Sequence, residues 1–215
     1  MDSTHTHVAH QFNDAAQQNE ASKLGMWAFL ATEILFFGGM FTAYAVYRWQ
    51  HPDAFAQASQ AMDVFLGGVN TGVLLLSSLT VALGVHAIQE GKSKQLFRFL
   101  IATIILGTIF LVIKGIEYHH KFVEHLVPGY DFIFAGPQAP YAAMYFVLYF
   151  VMTGFHALHM LVGIGVMAVM AVKTARGRFS ASYYTPIEIS GLYWHFVDIV
   201  WIFLYPLLYL IHVHP

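Results

Sequence analysis

A chain of 215 residues that is 58% hydrophobic and only 10% charged does not read as a soluble domain, in which about a quarter of residues are charged. A net charge of −2 gives no electrostatic basis for a nucleic-acid partner, and the lack of cysteine excludes disulfides, thiolate nucleophiles and iron–sulfur ligation. What remains is an integral membrane protein with little mass outside the bilayer and an unusual stock of 13 histidines.

Residues 1–22 are polar, with Asp2, Asp14 and Glu20 among them, and read as a cytoplasmic surface tail. His5, His7 and His10 offer at most a loose metal site, and a solvated tail is the simpler reading. The basic start and apolar core of a signal peptide are missing, so the first span is expected to stay in the mature chain. Apolar stretches then recur at 24–47, 64–88, 96–118, 140–172 and 189–211. Polar connections separate them: 50–62 with Pro52, the Glu90–Lys94 cluster, the 121–139 loop with Pro128-Gly129 and Gly136-Pro137, and the basic 173–182 stretch. The fourth span, at about 33 residues, exceeds the roughly 20 needed to cross and must tilt or protrude. Helices and closed barrels are the structures that satisfy the backbone in lipid, and no barrel-like alternation appears. The expected fold is all-α: one integral membrane domain, 23–215, of five transmembrane helices. Lys23, Lys92, Lys94, Arg98, Lys173, Arg176 and Arg178 fall on one side, against Arg48 and Lys121 on the other. This bias predicts a cytoplasmic N-terminus and a periplasmic C-terminus. Trp49, Tyr130 and Tyr209 are candidate interface anchors.

Several polar residues interrupt the spans. Glu33 lies about 10 residues past Lys23, or roughly 15 Å along a helix, near the middle of the hydrocarbon core. A carboxylate there costs at least a few kcal/mol (about 3) unless it is protonated, paired or wetted. Asn70, Thr71, Ser77, Ser78 and Thr80 read as interhelical hydrogen-bond groups. Lys114 and Glu117 are spaced to pair at i, i+3, in the outer part of their span, where Lys114 can snorkel. Glu117 to His120 is a single Glu-x-x-His, whereas a di-iron bundle uses two such motifs and two further glutamates. His156 and His159 stand about one turn apart near mid-membrane. They can be a hydrogen-bonded pair, haem or metal ligands, or partners of Glu33; proton sharing between Glu33 and one of them fits best. His195 and Asp198 are one turn apart between Trp194 and Trp201, and Asp198 is a second deep carboxylate. Composition alone leaves a proton or ion pathway and a buried structural network both open.

Taken together, these stretches resemble subunit III of the haem–copper oxidases. Thr32-Glu33-Ile34-Leu35-Phe36-Phe37-Gly38 resembles that family's helix with a membrane-buried glutamate. Asn70-Thr71 with Leu74-Leu75-Leu76-Ser77-Ser78, and Leu106-Gly107 with Phe110 and Glu117-Tyr118, resemble its next two helices. Gly154-Phe155-His156-Ala157-Leu158-His159 is similar to its Gly-(Phe/Thr)-His-Gly-Leu-His helix, with Ala157 where many members have glycine. Trp194-His195-Phe196-Val197-Asp198-Ile199-Val200-Trp201 resembles its closing helix almost residue for residue. The matches fall in all five spans and in order. Seven-helix members carry two further helices before the glutamate helix, so this chain resembles the shorter five-helix bacterial form. The lipid-filled cleft of the long form is not carried over whole.

The resemblance implies a non-redox accessory subunit of an aerobic terminal oxidase in the bacterial inner membrane. It would pack on subunit I, contact subunit II, bind structural phospholipid, support proton uptake and protect the active site. Haem and copper would belong to those partner subunits, with no cofactor or metal bound by this chain. Glu33 and Asp198 would be the family's buried proton-sharing carboxylates, with His156, His159, His195, Lys114 and Glu117 as the associated polar network and no catalytic residue. Cytochrome c is the implied donor to the complex. A quinol oxidase subunit and the related small subunit of a nitric oxide reductase are alternatives. A stand-alone proton-coupled transporter is the rival from another class, weakened by the absence of an inverted repeat and of broken helices.

Overall fold

The computed structural model describes residues 11–129 and 131–211. Its elements are α1 (Ala15–Gln50), α2 (Pro52–Ser59), α3 (Val64–Gln89), α4 (Ser93–Val123), α5 (Ala139–Ala175) and α6 (Thr185–Tyr209). All but α2 are long and apolar enough to cross a membrane. Among the described residues the only β-type pairing is one isolated bridge, Ser180 to Tyr183.

The helix ends show why the expected limits shifted. Asp14 caps α1, its carboxylate accepting from the Gln17 amide at 2.7 Å. Residues 15–22 are therefore helical and continuous with the first span, which begins earlier than the expected start at 24. The extension is docked: Thr185 donates to Asn19 at 2.9 Å, and Lys23 lies 3.7 Å from Glu188. A polar sequence conceals such a helix because an N-cap and good helix formers need no apolar stripe. His5, His7, His10 and Tyr130 lie outside the described residues. The 50–62 connection holds α2, started by Pro52 at its first turn, where a missing N–H costs nothing. Asp63 caps α3 through the Leu66 amide at 2.8 Å. Gly91 ends it with φ +76°, letting the Lys92 amide reach back to the Ala87 carbonyl.

α6 is the centre of the bundle. It packs on α3, α5 and α1, while α4 packs on α3 and α5. Some 61% of the apolar stretch of α6 is buried within the bundle, against 11% for α1. α1 is thus peripheral, lying on α5 and α6 with most of its apolar surface facing outward. Helix association in lipid gains nothing from burying apolar surface and relies on close packing and hydrogen bonds. Both are present here. The Trp194 ring fits against Gly107 of α4 and Gly163 of α5, where an added Cβ would stand 2.8 and 3.0 Å from it. The last carbonyls of α6, which lack helical partners, accept from other helices: Leu207 from the Tyr44 hydroxyl, and Leu208 from that of Tyr145 at 2.5 Å.

Candidate functional site

Glu33 sits on α1 and His159 on α5. Their side chains meet with Glu33 Oε2 3.0 Å from His159 Nε2. The other ring nitrogen, Nδ1, lies 2.8 Å from the Phe155 carbonyl one turn back. A carbonyl only accepts, so Nδ1 must carry a proton and donate. Nε2 is left facing the carboxylate. One further proton can then reside on Glu33, donating to Nε2, or on Nε2, donating to the carboxylate. Both states keep a single hydrogen bond and the same net charge, and they differ in whether the two groups are neutral or form an ion pair. The pair is rimmed by rings: Phe37 stands 5.3 Å from the His159 imidazole, and Phe36 packs edge-on against Phe155 at 5.0 Å. The Tyr193 hydroxyl donates to the His159 carbonyl at 3.0 Å. Glu33 and His159 keep 17% and 16% of their side-chain surface exposed. The pair lies at the margin of the bundle, beneath the loosely packed α1.

The other polar residues occupy separate places. The expectation that Lys114 snorkels from the outer part of its span is not met: it is only 4% exposed and points inward. Its Nζ donates to Glu117 Oε2 at 3.1 Å and to the hydroxyls of Tyr149 and Tyr209 at 3.1 and 2.7 Å. Those two hydroxyls in turn donate to Glu117 Oε1 at 2.7 and 2.5 Å. The Lys114 ammonium also lies within 5.5 Å of four ring centroids, those of Tyr118, Tyr149, Trp201 and Tyr209. Every charged atom in this cluster has a partner, which is the condition for burying an ion pair at tolerable cost. Tyr209 is fully buried here and so is not an interface anchor, whereas Trp49, 85% exposed, suits that place.

His156 is buried between Phe110 and Trp201, with ring centroids at 5.5 and 5.1 Å. It faces the core, away from Glu33. His195 Nδ1 shares a hydrogen bond with the Ser78 hydroxyl at 2.6 Å, and Asp198 lies beside the same Ser78, buried within the bundle. Among the described residues no hydrogen bond links His156, His195 or Asp198 to Glu33. The residues expected to act as one set are therefore divided among four locations.

The interhelical bonds foreseen for span two are present. Trp194 Nε1 donates to Ser77 at 2.9 Å, Trp201 Nε1 to Thr71 at 3.0 Å, and Thr80 meets Thr103 at 2.8 Å. Asn70 Nδ2 reaches the Phe110 carbonyl at 3.4 Å. Residues missed from sequence are Tyr149, which completes the Lys114–Glu117 cluster, and Lys121. The Lys121 ammonium is buried and donates to the Ala61 carbonyl at 2.6 Å and to Glu124 at 2.7 Å. A tyrosine in an aromatic-rich span carries no signal of its hydroxyl's partner, so only the unusual lysine depth hinted at them.

Five apolar helices around buried polar groups, among them the Glu33–His159 and Lys114–Glu117 pairs, define a multi-pass helical membrane protein. The model of a protein family described as cytochrome c oxidase subunit III matches residues 4–213. Cytochrome c oxidase subunit 3 of Gadus morhua is 34% identical over 204 residues, covering 87% of this chain and 68% of the relative. The proteins of the same name from Oncorhynchus mykiss and Cyprinus carpio are 33% and 32% identical over 207 residues, with the same coverage. The chain belongs to the cytochrome c oxidase subunit III family, and its general role is that of an oxidase subunit III.

Proposed function

We propose that this chain is the non-redox accessory subunit of an aerobic terminal oxidase of the cytochrome c group. In this reading it packs on subunit I, where oxygen is reduced to water with proton translocation, and on subunit II. Haem and copper reside in those partners. Cytochrome c is the proposed donor, in line with the names of the relatives. The N-terminus lies in the cytoplasm and the C-terminus in the periplasm of a bacterial inner membrane, supported by the distribution of lysine and arginine.

The observation that carries the reading is the Glu33–His159 pair on the bundle margin. A shared proton there keeps the pair close to neutral overall, which a low-dielectric setting favours. Moving that proton between Oε2 and Nε2 changes the local dipole without breaking the hydrogen bond. The pair thereby supports proton uptake and active-site durability in the neighbouring subunit by tuning the contact and its water, without carrying electrons. The large outward face of α1 supplies surface for that contact.

The test is affinity purification of the tagged chain from its own membranes. Co-purification of a haem-bearing subunit with oxygen-reducing activity is expected, and the isolated chain should show no haem absorbance. Proton flux through vesicles holding only this chain would overturn the reading. The Glu33→Gln variant should assemble and start turnover at a normal rate, then inactivate sooner. Complete loss of haem incorporation in that variant would make Glu33 structural instead. A carbodiimide, which attacks protonated carboxyls in apolar settings, should label Glu33 in the intact complex; absence of labelling would count against proton sharing.

A further inference from the structure

A cavity of about 400 Å³ lies between α1, α3 and α6. Lys23 and Trp27 of α1, Ala82 and Val85 of α3, and Glu188 and His195 of α6 line it. Its outer end is polar, because Lys23 and Glu188 face each other there at 3.7 Å and keep 54% and 25% of their side-chain surface exposed. His195 follows Glu188 two turns later on the same face of α6, about 10 Å deeper along the helix.

His195 joins this cavity to a buried acid. Its Nδ1 stands 2.6 Å from Ser78 Oγ, which leaves Nε2 as the ring's polar atom for the cavity. Ser78 is also the hydroxyl beside Asp198. Asp198 is buried, and among the described residues neither of its carboxyl oxygens has a hydrogen-bond partner. No cation pairs with it there either. An ionised carboxylate so placed is uncompensated, so burial favours the neutral acid. Titratable groups on the adjoining helices are engaged elsewhere: His86 with Glu90, Glu33 with His159, and Lys114 with Glu117. The proton of Asp198 needs a route, and the cavity, His195 and Ser78 supply one in that order.

We infer that His195 and Ser78 relay protons between this cavity and Asp198, which serves as a proton store. In the empty state His195 carries its proton on Nδ1 and donates to Ser78, whose hydroxyl donates to the Asp198 carboxylate. Loading begins when water in the cavity delivers a proton to Nε2. The Nδ1 proton then passes to Ser78 Oγ as the serine's own proton passes to Asp198. In the loaded state Asp198 donates to Ser78, Ser78 donates to Nδ1, and Nε2 holds the proton from the cavity. Release is the reverse. Ser78 and Nδ1 stay bonded throughout, and the imidazole never has to turn over, because its two nitrogens exchange donor and acceptor roles. The relay ends at Asp198, so it loads a proton without passing one across the membrane. It rests neither on the oxidase reading nor on the Glu33–His159 pair.

The test is infrared spectroscopy of the full chain in detergent on rapid transfer from H2O into D2O. The carbonyl band of a protonated carboxyl shifts when deuterium replaces its proton, and the Asp198 band is the one lost in Asp198→Asn. In the unmodified chain this band should shift before the amides of α6 exchange. His195→Phe keeps a ring and removes both relay nitrogens, so exchange must wait for opening of the bundle and should slow at least about tenfold. Ser78→Ala removes a single oxygen and should slow exchange equally, which keeps the test open if the larger change prevents folding. His195→Ala should be slow as well, and imidazole added to the buffer should restore most of its rate, a rescue that a merely structural histidine would not show. Exchange as fast in His195→Phe or Ser78→Ala as in the unmodified chain would overturn the relay, and so would a His195→Ala variant that imidazole does not speed up. A spectrum in which Asp198→Asn removes no protonated carboxyl band would overturn the store.

Discussion

Glu33 and His159 are 126 positions apart in the chain and meet 3.0 Å apart between α1 and α5. The Phe155 carbonyl fixes which imidazole nitrogen faces the carboxylate. His159→Leu would leave a mid-membrane carboxylate without its partner, at a cost of about 3 kcal/mol. Glu33→Gln keeps a neutral group able to bond Nε2 and should cost about 1 kcal/mol or less. In thermal unfolding of the assembled complex, His159→Leu should therefore be the more damaging change. Adding Glu33→Gln to it should restore most of the loss. A double variant no better than His159→Leu alone would show that the histidine acts through packing.

The Lys114–Glu117 cluster gives an opposite test, because both partners are deep. Lys114→Met should destabilise the bundle by about 3–5 kcal/mol, since it leaves a buried carboxylate with no countercharge. Lys114→Met with Glu117→Gln should recover to within about 1.5 kcal/mol of the original. The glutamine oxygen can still accept from Tyr149 and Tyr209, which bond Glu117 at 2.7 and 2.5 Å. Unfolding in detergent, followed by tryptophan fluorescence, measures both.

Trp194 sets the spacing of three helices by filling the gap left by two glycines. An alanine at Gly107 would bring Cβ to 2.8 Å from the indole, an overpacking that costs about 1–3 kcal/mol. Gly115, on the same helix, has nothing within 4 Å of the equivalent position. Gly115→Ala should be neutral or stabilising by up to about 1 kcal/mol. Equal melting temperatures for the two variants would show that the close Trp194 contact does not constrain the bundle.

Lys121 fastens the turn between α2 and α3 to the end of α4 through the Ala61 carbonyl at 2.6 Å. Lys121→Met should leave global stability nearly intact while loosening that turn. Hydrogen exchange at the amides of residues 60–63 should speed up by at least about fivefold, matching the loss of one hydrogen bond to a charged donor. Unchanged exchange there would mean that α2 is held by its own contacts, chiefly the burial of Phe55 and Ala58.

The five spans were legible in the sequence because lipid imposes one strong rule: long apolar runs must be helices, and their backbone bonds are local. Their centres agree with the structure, while their ends moved outward where caps lie in polar sequence, as at Asp14 and Gly91. The i, i+3 spacing of Lys114 and Glu117 foretold their pairing, since one helical turn brings such residues together whatever the rest of the chain does. The depth of Glu33 showed that it needed a partner, but several histidines at similar depth were candidates. Which helix lies beside which is decided by non-local packing. Docking α1 against α5 gave Glu33 to His159, placed His156 on the core face of the same helix, and set His195 and Asp198 against Ser78 of α3. The inward course of Lys114 was likewise settled by the tertiary structure, through Tyr149 and Tyr209 from two other helices. Local periodicity determined which residues had to be satisfied, and only the arrangement of the helices decided by what.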